Sequence, residues 1–476
     1  MMYRRPTIFA TILCIIVFSL TLFTQSGFAQ YQEDLTEPDL DEILQAFGTQ
    51  DTPAGLNIHD LPAPLPQHEE TDDFPKTSLS GGFSHLISYA PFQHTTAADY
   101  PVHGLTSFKP RLSLNLETKY SPSLFAKISG WAFYDFAYTI QGYDHYPPEM
   151  IDNYENEIEL GETYIRKRLS THFDITAGRQ IAVWGKADFF RVVDLFNPID
   201  NRERGLDDIE FKRLPLWMTK LDSYFAPWQV STIVTHELRN NKEPVFGSDF
   251  YPYNFPAPPY EAKSNTLHNS SWGISAERSY QGIDVGLYWG SFLIEFELVG
   301  LTAEMEERKY SRLTMVGGAT EKAVHNWLFK IEAALLNGLQ YYSLPEQTKT
   351  RLDMLVGADY TGFANTRLSL EVVNRHLFQL DSGIADKYDT PRKDVLIWAA
   401  RIARSFQNDN FEFILISYAG GITFSQGAAQ NISIEYKISD MLAISAGYIF
   451  IQSGDNYLME NVGKNDRAFC KFNYTF

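Results

Sequence analysis

The sequence is short of several things at once. It has only two cysteines, Cys14 and Cys470, and the first lies in an N-terminal apolar run with the marks of a cleaved leader. One cysteine in the mature chain excludes an intrachain disulfide and a multi-thiolate metal site. The longest apolar run, about Ile8 to Phe23, falls short of the ~20 residues a membrane-crossing helix needs. Positive charge is in deficit too. Lys and Arg number 40 against 59 Asp and Glu, a net charge of -19, which excludes nucleic acid as a partner. His236, His268, His325 and His376 have no spacing that implies a triad or a metal site, and Gly185-Lys186 lacks the glycine-rich lead of a phosphate loop. No enzyme activity, cofactor or metal is therefore predicted.

What is abundant is aromatic. Phe (34) and Tyr (27) help to bring aromatics to 14% in a chain that is polar on average, the profile of a membrane β-barrel with interfacial girdles rather than of a helical membrane protein. The final nine residues carry the pattern most openly. Cys470, Phe472, Tyr474 and Phe476 share one side, while Lys471, Asn473 and Thr475 share the other. A strand with one greasy and one wet face crosses a bilayer only in a closed barrel, where every backbone group is paired. Phe472, Tyr474 and Phe476 form the predicted closing signal, which resembles the segment read by the barrel-assembly machinery of the bacterial outer membrane.

The first 29 residues read as a secretory signal peptide. Arg4 and Arg5 precede the apolar run, and Ser26-Gly27-Phe28-Ala29 offers a small-residue cleavage site. Residues 30–76 form a predicted acidic periplasmic arm. Its twelve acidic residues face no Lys or Arg before Lys76, and Pro53, Pro62, Pro64 and Pro66 break long helices, so disorder is expected. Within it, Leu40, Ile43, Leu44 and Phe47 fall at helical spacing in 39–48. This short amphipathic helix is a candidate docking site for a periplasmic protein. Cleavage would leave a charge of -21, of which the arm holds -12, so the remainder is only mildly acidic.

Residues 77–476 read as one barrel. Candidate strands alternate between tight turns, such as Ser121-Pro122-Ser123, Ser170-Thr171-His172 and Ala226-Pro227, and long loops at the other end. The count is about eighteen (16–18). Long loops are expected at 90–109 and between Leu335 and Arg351. Parity is consistent within strands. Arg111, Ser113, Asn115 and Glu117 alternate with Leu112, Leu114 and Leu116; Lys330 and Glu332 oppose Phe329 and Ile331; Arg367 and Glu371 oppose Leu368 and Leu370. Charges of both signs are costly against lipid, so they are assigned to the lumen.

One stretch stands apart. Gly178-Arg179-Gln180 is followed by Trp184-Gly185-Lys186-Ala187-Asp188, and then by Asn197-Pro198-Ile199-Asp200. This motif resembles that of uncharacterised proteobacterial outer-membrane β-barrels, distantly similar to alginate-export-type porins. In them a strand carrying Gly-Arg-Gln leads through an aromatic-Gly pair into an inward-folded loop. The resemblance implies passage of an anionic polysaccharide past an arginine-rich constriction. The candidate constriction residues are Arg179, Gln180, Lys186, Asp188, Arg191 and Asp200. Strict alternation puts Arg179 on the greasy parity of Phe173 and Ile175, so a bulge is expected to turn it inward. Two roles stay open for Arg179, solute contact or pairing with a lumen acid. From Arg179 to Arg213 seven positive residues meet seven negative ones, which favours a salt-bridged plug over a one-sign filter.

The reading is an outer-membrane channel or porin-like transporter of a Gram-negative bacterium, embedded in outer-membrane lipid and narrowed by an inward loop at 186–215. The alternative is an envelope-assembly or transport-complex partner recruited through the acidic arm.

Overall fold

A computed structural model describes residues 74–203, 212–297, 301–380, 392–455, 459 and 462–476. The signal peptide and the helix at 39–48 lie outside these residues, as does nearly all of the arm. Among the described residues no helix is long and apolar enough to cross a membrane. Instead eighteen strands form one closed antiparallel β-barrel, the fold class expected.

In chain order these are β1 (Lys76–Thr95), β2 (Pro101–Ser121), β3 (Leu124–Tyr134), β4 (Asn156–Ser170), β5 (Phe173–Gln180) and β6 (Leu216–Phe225). Next come β7 (Trp228–Thr235), β8 (Trp272–Tyr280), β9 (Ile283–Glu295), β10 (Tyr310–Val324), β11 (Trp327–Tyr341) and β12 (Leu344–Phe363). The last six are β13 (Thr366–Leu377), β14 (Asp394–Phe406), β15 (Phe411–Gly420), β16 (Ala428–Ser439), β17 (Leu442–Gln452) and β18 (Arg467–Thr475). Each strand pairs with its chain neighbours, and β1 pairs with β18 to close the ring. At the seam Gly82 faces Thr475 and Leu86 faces Lys471. Gly81 and Phe476 exchange two backbone hydrogen bonds of 2.9 Å.

The two parities behave as the physics of a bilayer requires. On β11, Ile331 is 51% exposed while Glu332 is 2% exposed, and on β12 Met354 is 51% exposed against 1% for Asp353. The apolar set faces outward and the charged set faces the lumen, where it finds partners.

Three expectations need correction. Residues 90–109 are not a loop, since β1 runs to Thr95 and β2 starts at Pro101; register shifts after Ser88 and Ala90 interrupt the alternation that betrays a strand. The long loop before Arg351 is likewise absent, because β12 starts at Leu344 and a tight hairpin joins it to β11. Finally, β5 carries no bulge. It stays in unbroken register with β4 from Arg168/Asp174 to Thr163/Arg179. The irregularity lies in β4, where Ile128 pairs with Thr163 but Gly130 pairs with Leu160.

Candidate functional site: the lumen and its inward loop

β5 ends at Gln180, and the chain then enters the barrel before returning to β6. Gly185, at φ +92°, sets the bend. A side chain there would place its Cβ 2.5 Å from Glu332 Oε1 and 2.8 Å from Val193 Cγ2, so only glycine lets the loop approach the wall this closely. Behind the bend Trp184, Val192, Val193 and Phe196 pack on inward residues of β6 to β13, including Met218, Phe292, Met315 and Leu355. Trp184 meets Phe196 edge to face, with ring centroids 4.7 Å apart. Burying each such side chain contributes roughly 1.5–3 kcal/mol, so one wall of the lumen holds a dry core.

Polar groups fix the loop's depth. The wall residue Glu332 accepts backbone N–H bonds from Lys186 and, at 2.8 Å, from Ala187. Glu371 on β13 accepts from the amides of Asp188 (2.7 Å) and Phe189 (3.0 Å). Lys186 reaches Glu321 at 3.3 Å, and Asp188 takes Lys330 at 2.5 Å. Asn197 ties the neck: its amide oxygen accepts from the Ala182 amide at 2.7 Å, while its nitrogen donates to the carbonyls of Gln180 (3.2 Å) and Leu214 (2.9 Å). Arg191 stays within the loop, donating to the Asp194 carbonyl (2.6 Å) and the Asn197 carbonyl (2.7 Å), and Arg213 adds a 2.8 Å bond to Asp194.

With the barrel and its inward loop in place, sequence comparison supplies the kinship. A family model described as a protein of unknown function, DUF1302, matches residues 98–476. The chain belongs to the DUF1302 family. No curated relative matches the sequence.

Solved structures match the fold of this DUF1302 chain at low identity. OccK9 (OpdG) of Pseudomonas aeruginosa is 13% identical with a TM-score of 0.51, covering 84% of this chain and 98% of that one. OccAB2 of Acinetobacter baumannii is 10% identical, also at 0.51, with 84% and 98% covered. OccAB3 of the same organism is 11% identical at 0.50, with 84% and 99% covered. None of these is an alginate-export porin.

In this DUF1302 barrel the sequence-predicted residues do not converge. Arg179 pairs across the sheet with Thr163 and Trp217; its guanidinium donates to Glu159 Oε1 at 2.9 Å and to the Pro215 carbonyl at 3.3 Å. Arg239 and Lys242 also bind Glu159, each at 2.9 Å. Gln180 donates to the Met218 carbonyl at 3.0 Å. Lys186 and Asp188 sit at the anchored bend, and Arg191 lies inside the loop. Of the six, Asp200 lines a cleft in the lumen wall that the other five do not reach.

That cavity, about 110 Å³, lies between the returning loop and the inward faces of β18 and β1 to β4; Arg111, Trp131, Glu157, Arg202, Phe469 and Lys471 are among its lining. Arg202 grips Asp200 through Nε at 3.0 Å and Nη2 at 2.6 Å, and reaches Glu157 at 2.8 Å. Burial works against the Asp200 charge, yet the bonds from Arg202 prevail and hold its carboxyl below the ordinary range. Lys109 pairs with Glu203 at 2.5 Å. Sequence reasoning put Arg111 and Lys471 on lumen parity without joining them. Their meeting depends on β1 closing against β18, a contact between the two ends of the barrel.

A second loop, residues 236–271, runs over the mouth. Lys242 forms a parallel bridge with Asp200, with Asn201 N to Lys242 O at 2.7 Å and Lys242 N to Ile199 O at 3.0 Å. Further along, Asp249 binds Arg467 and Asn465 beside β18, and Phe250 lies beneath the Arg467 guanidinium at 4.9 Å. Among the described residues no three His, Cys, Asp or Glu side chains group as a metal site.

Proposed function

We propose that the protein is a passive channel for small solutes in the outer membrane of a Gram-negative bacterium. The observation that carries this reading is the asymmetric filling of the barrel. The inward loop is packed dry against β6 to β13, while the opposite wall keeps a cleft lined by charged and aromatic side chains. A barrel serving only as an anchor has no use for such a cleft. The inward loop fills part of the lumen and its seven-to-seven charge balance offers no one-sign path, which together favour small solutes over the anionic polysaccharide that the alginate-type resemblance implies. Planar-bilayer recording of the refolded protein tests the reading. Discrete conductance steps are expected, and removal of Arg191 to Lys212 should raise the step size at least about twofold, because the loop occupies lumen cross-section. A refolded barrel that gives no steps in either form would overturn the proposal.

A further inference from the structure

The charges around the cleft are not evenly engaged. Each of its acids already has a cation: Glu157 binds Arg202 at 2.8 Å and Lys242 at 2.9 Å, Asp200 binds Arg202 at 2.6 Å, and Glu203 binds Lys109 at 2.5 Å. Two lining cations have no carboxylate within ion-pair distance among the described residues. Arg111 lies over the Trp131 ring, its Cζ 4.9 Å from the centroid. A guanidinium held by a cation–π contact still has N–H donors to offer a ligand. Lys471 lies across the seam, opposite Leu86, which in turn faces Lys109 on β2. The next acid along that inward row, Glu435, lies beyond Ser445 of β17, too far for an ion pair, and divides its longer-range attraction between Lys437 and Lys471. Two residues from Lys471 on the same face, Phe469 lines the cleft, as does Leu86.

Resting on the channel reading, we infer that this cleft is a binding site for a small organic carboxylate carrying an aromatic ring. Arg111 and Lys471 take the carboxylate, the guanidinium offering the fork that matches its two oxygens. The apolar surface of Phe469 and Leu86 takes the ring. The engaged acids serve a second purpose, since each is neutralised and adds little repulsion against an incoming anion. A neutral ring analogue loses the charge contact and a ring-free anion loses the stacking, so both bind less well than the aromatic acid.

Benzoate is the probe, with benzyl alcohol and acetate as controls, titrated into the refolded full-length barrel by calorimetry and added to the bilayer during single-channel recording. Saturable benzoate binding is expected, with acetate and benzyl alcohol each at least about tenfold weaker. Arg111→Gln and Lys471→Gln should each weaken benzoate about tenfold, the loss of one charge-assisted contact. Lys322→Gln, an exposed cation on β10 across the ring from the cleft, should leave it unchanged. A heat-modifiable gel shift identical to wild type shows that each variant is folded. Benzoate that neither binds nor blocks an otherwise conducting barrel sinks the site and leaves the channel reading intact. Binding without any conductance does the reverse. Equal affinity for benzoate and acetate would overturn the aromatic part of the inference, and equal affinity in wild type and both cleft variants would overturn the assignment of the two cations.

Discussion

Asn197 makes three hydrogen bonds to the two ends of one loop, more than any tight turn would require. Replacing it with alanine removes all three of these bonds from a buried neck. The expected cost is roughly 1–3 kcal/mol per unsatisfied group at most, felt by the loop rather than by the barrel. Limited trypsin digestion of Asn197→Ala should therefore cut at Arg191 or Arg202 faster than in wild type, with an unchanged heat-modifiable shift; equal digestion rates would show that apolar packing alone holds the loop. At this scale the sequence was informative about direction and silent about partners. Parity sent Lys330, Glu332 and Glu371 to the lumen, and they are there. That Glu332 and Glu371 accept the amides of residues 186–189 depends on contacts more than a hundred residues apart, which no local pattern encodes.

Strands as elements were legible wherever they cross the bilayer, because lipid on one side and charge on the other enforces a period of two. Beyond the lipid this constraint lapses, and β1, β2, β11 and β12 extend there without strict alternation. The bulge was misplaced for a related reason. Arg179 is long enough to reach Glu159 from an unshifted strand, so its charge needed no change of register. The closing pair β1 and β18 makes an element-scale prediction. A Cβ at Gly81 would stand 2.5 Å from Phe476 Cζ and 2.8 Å from the Ser113 carbonyl, so Gly81→Val should disturb the seam. We propose that Phe476→Asp also impairs assembly, by weakening both closure and recognition by the assembly machinery. For each variant the folded band on a cold-loaded gel should fall several-fold. Wild-type amounts of folded protein would contradict both.

For the molecule as a whole, the ring of eighteen strands and the loop inside it are separable in stability, since the hydrogen bonds of the wall do not depend on what fills the lumen. Glu332→Ala combined with Glu371→Ala should then keep the β-type circular dichroism spectrum and the gel shift while making the single-channel current noisier, as the loop leaves and regains its berth. A quiet current from that double variant would mean the dry core suffices. The bridge between Lys242 and Asp200 has a mechanical consequence. The mouth-spanning loop and the inward loop share backbone hydrogen bonds, and the outer one is also fastened through Asp249 to the far side of the barrel. Together they form a continuous linkage from the outer loop to the loop that fills the lumen. A rigid binder gripping the exposed stretch 262–268 of the outer loop should alter the current without entering the channel, and an unaltered current would show that the linkage is slack.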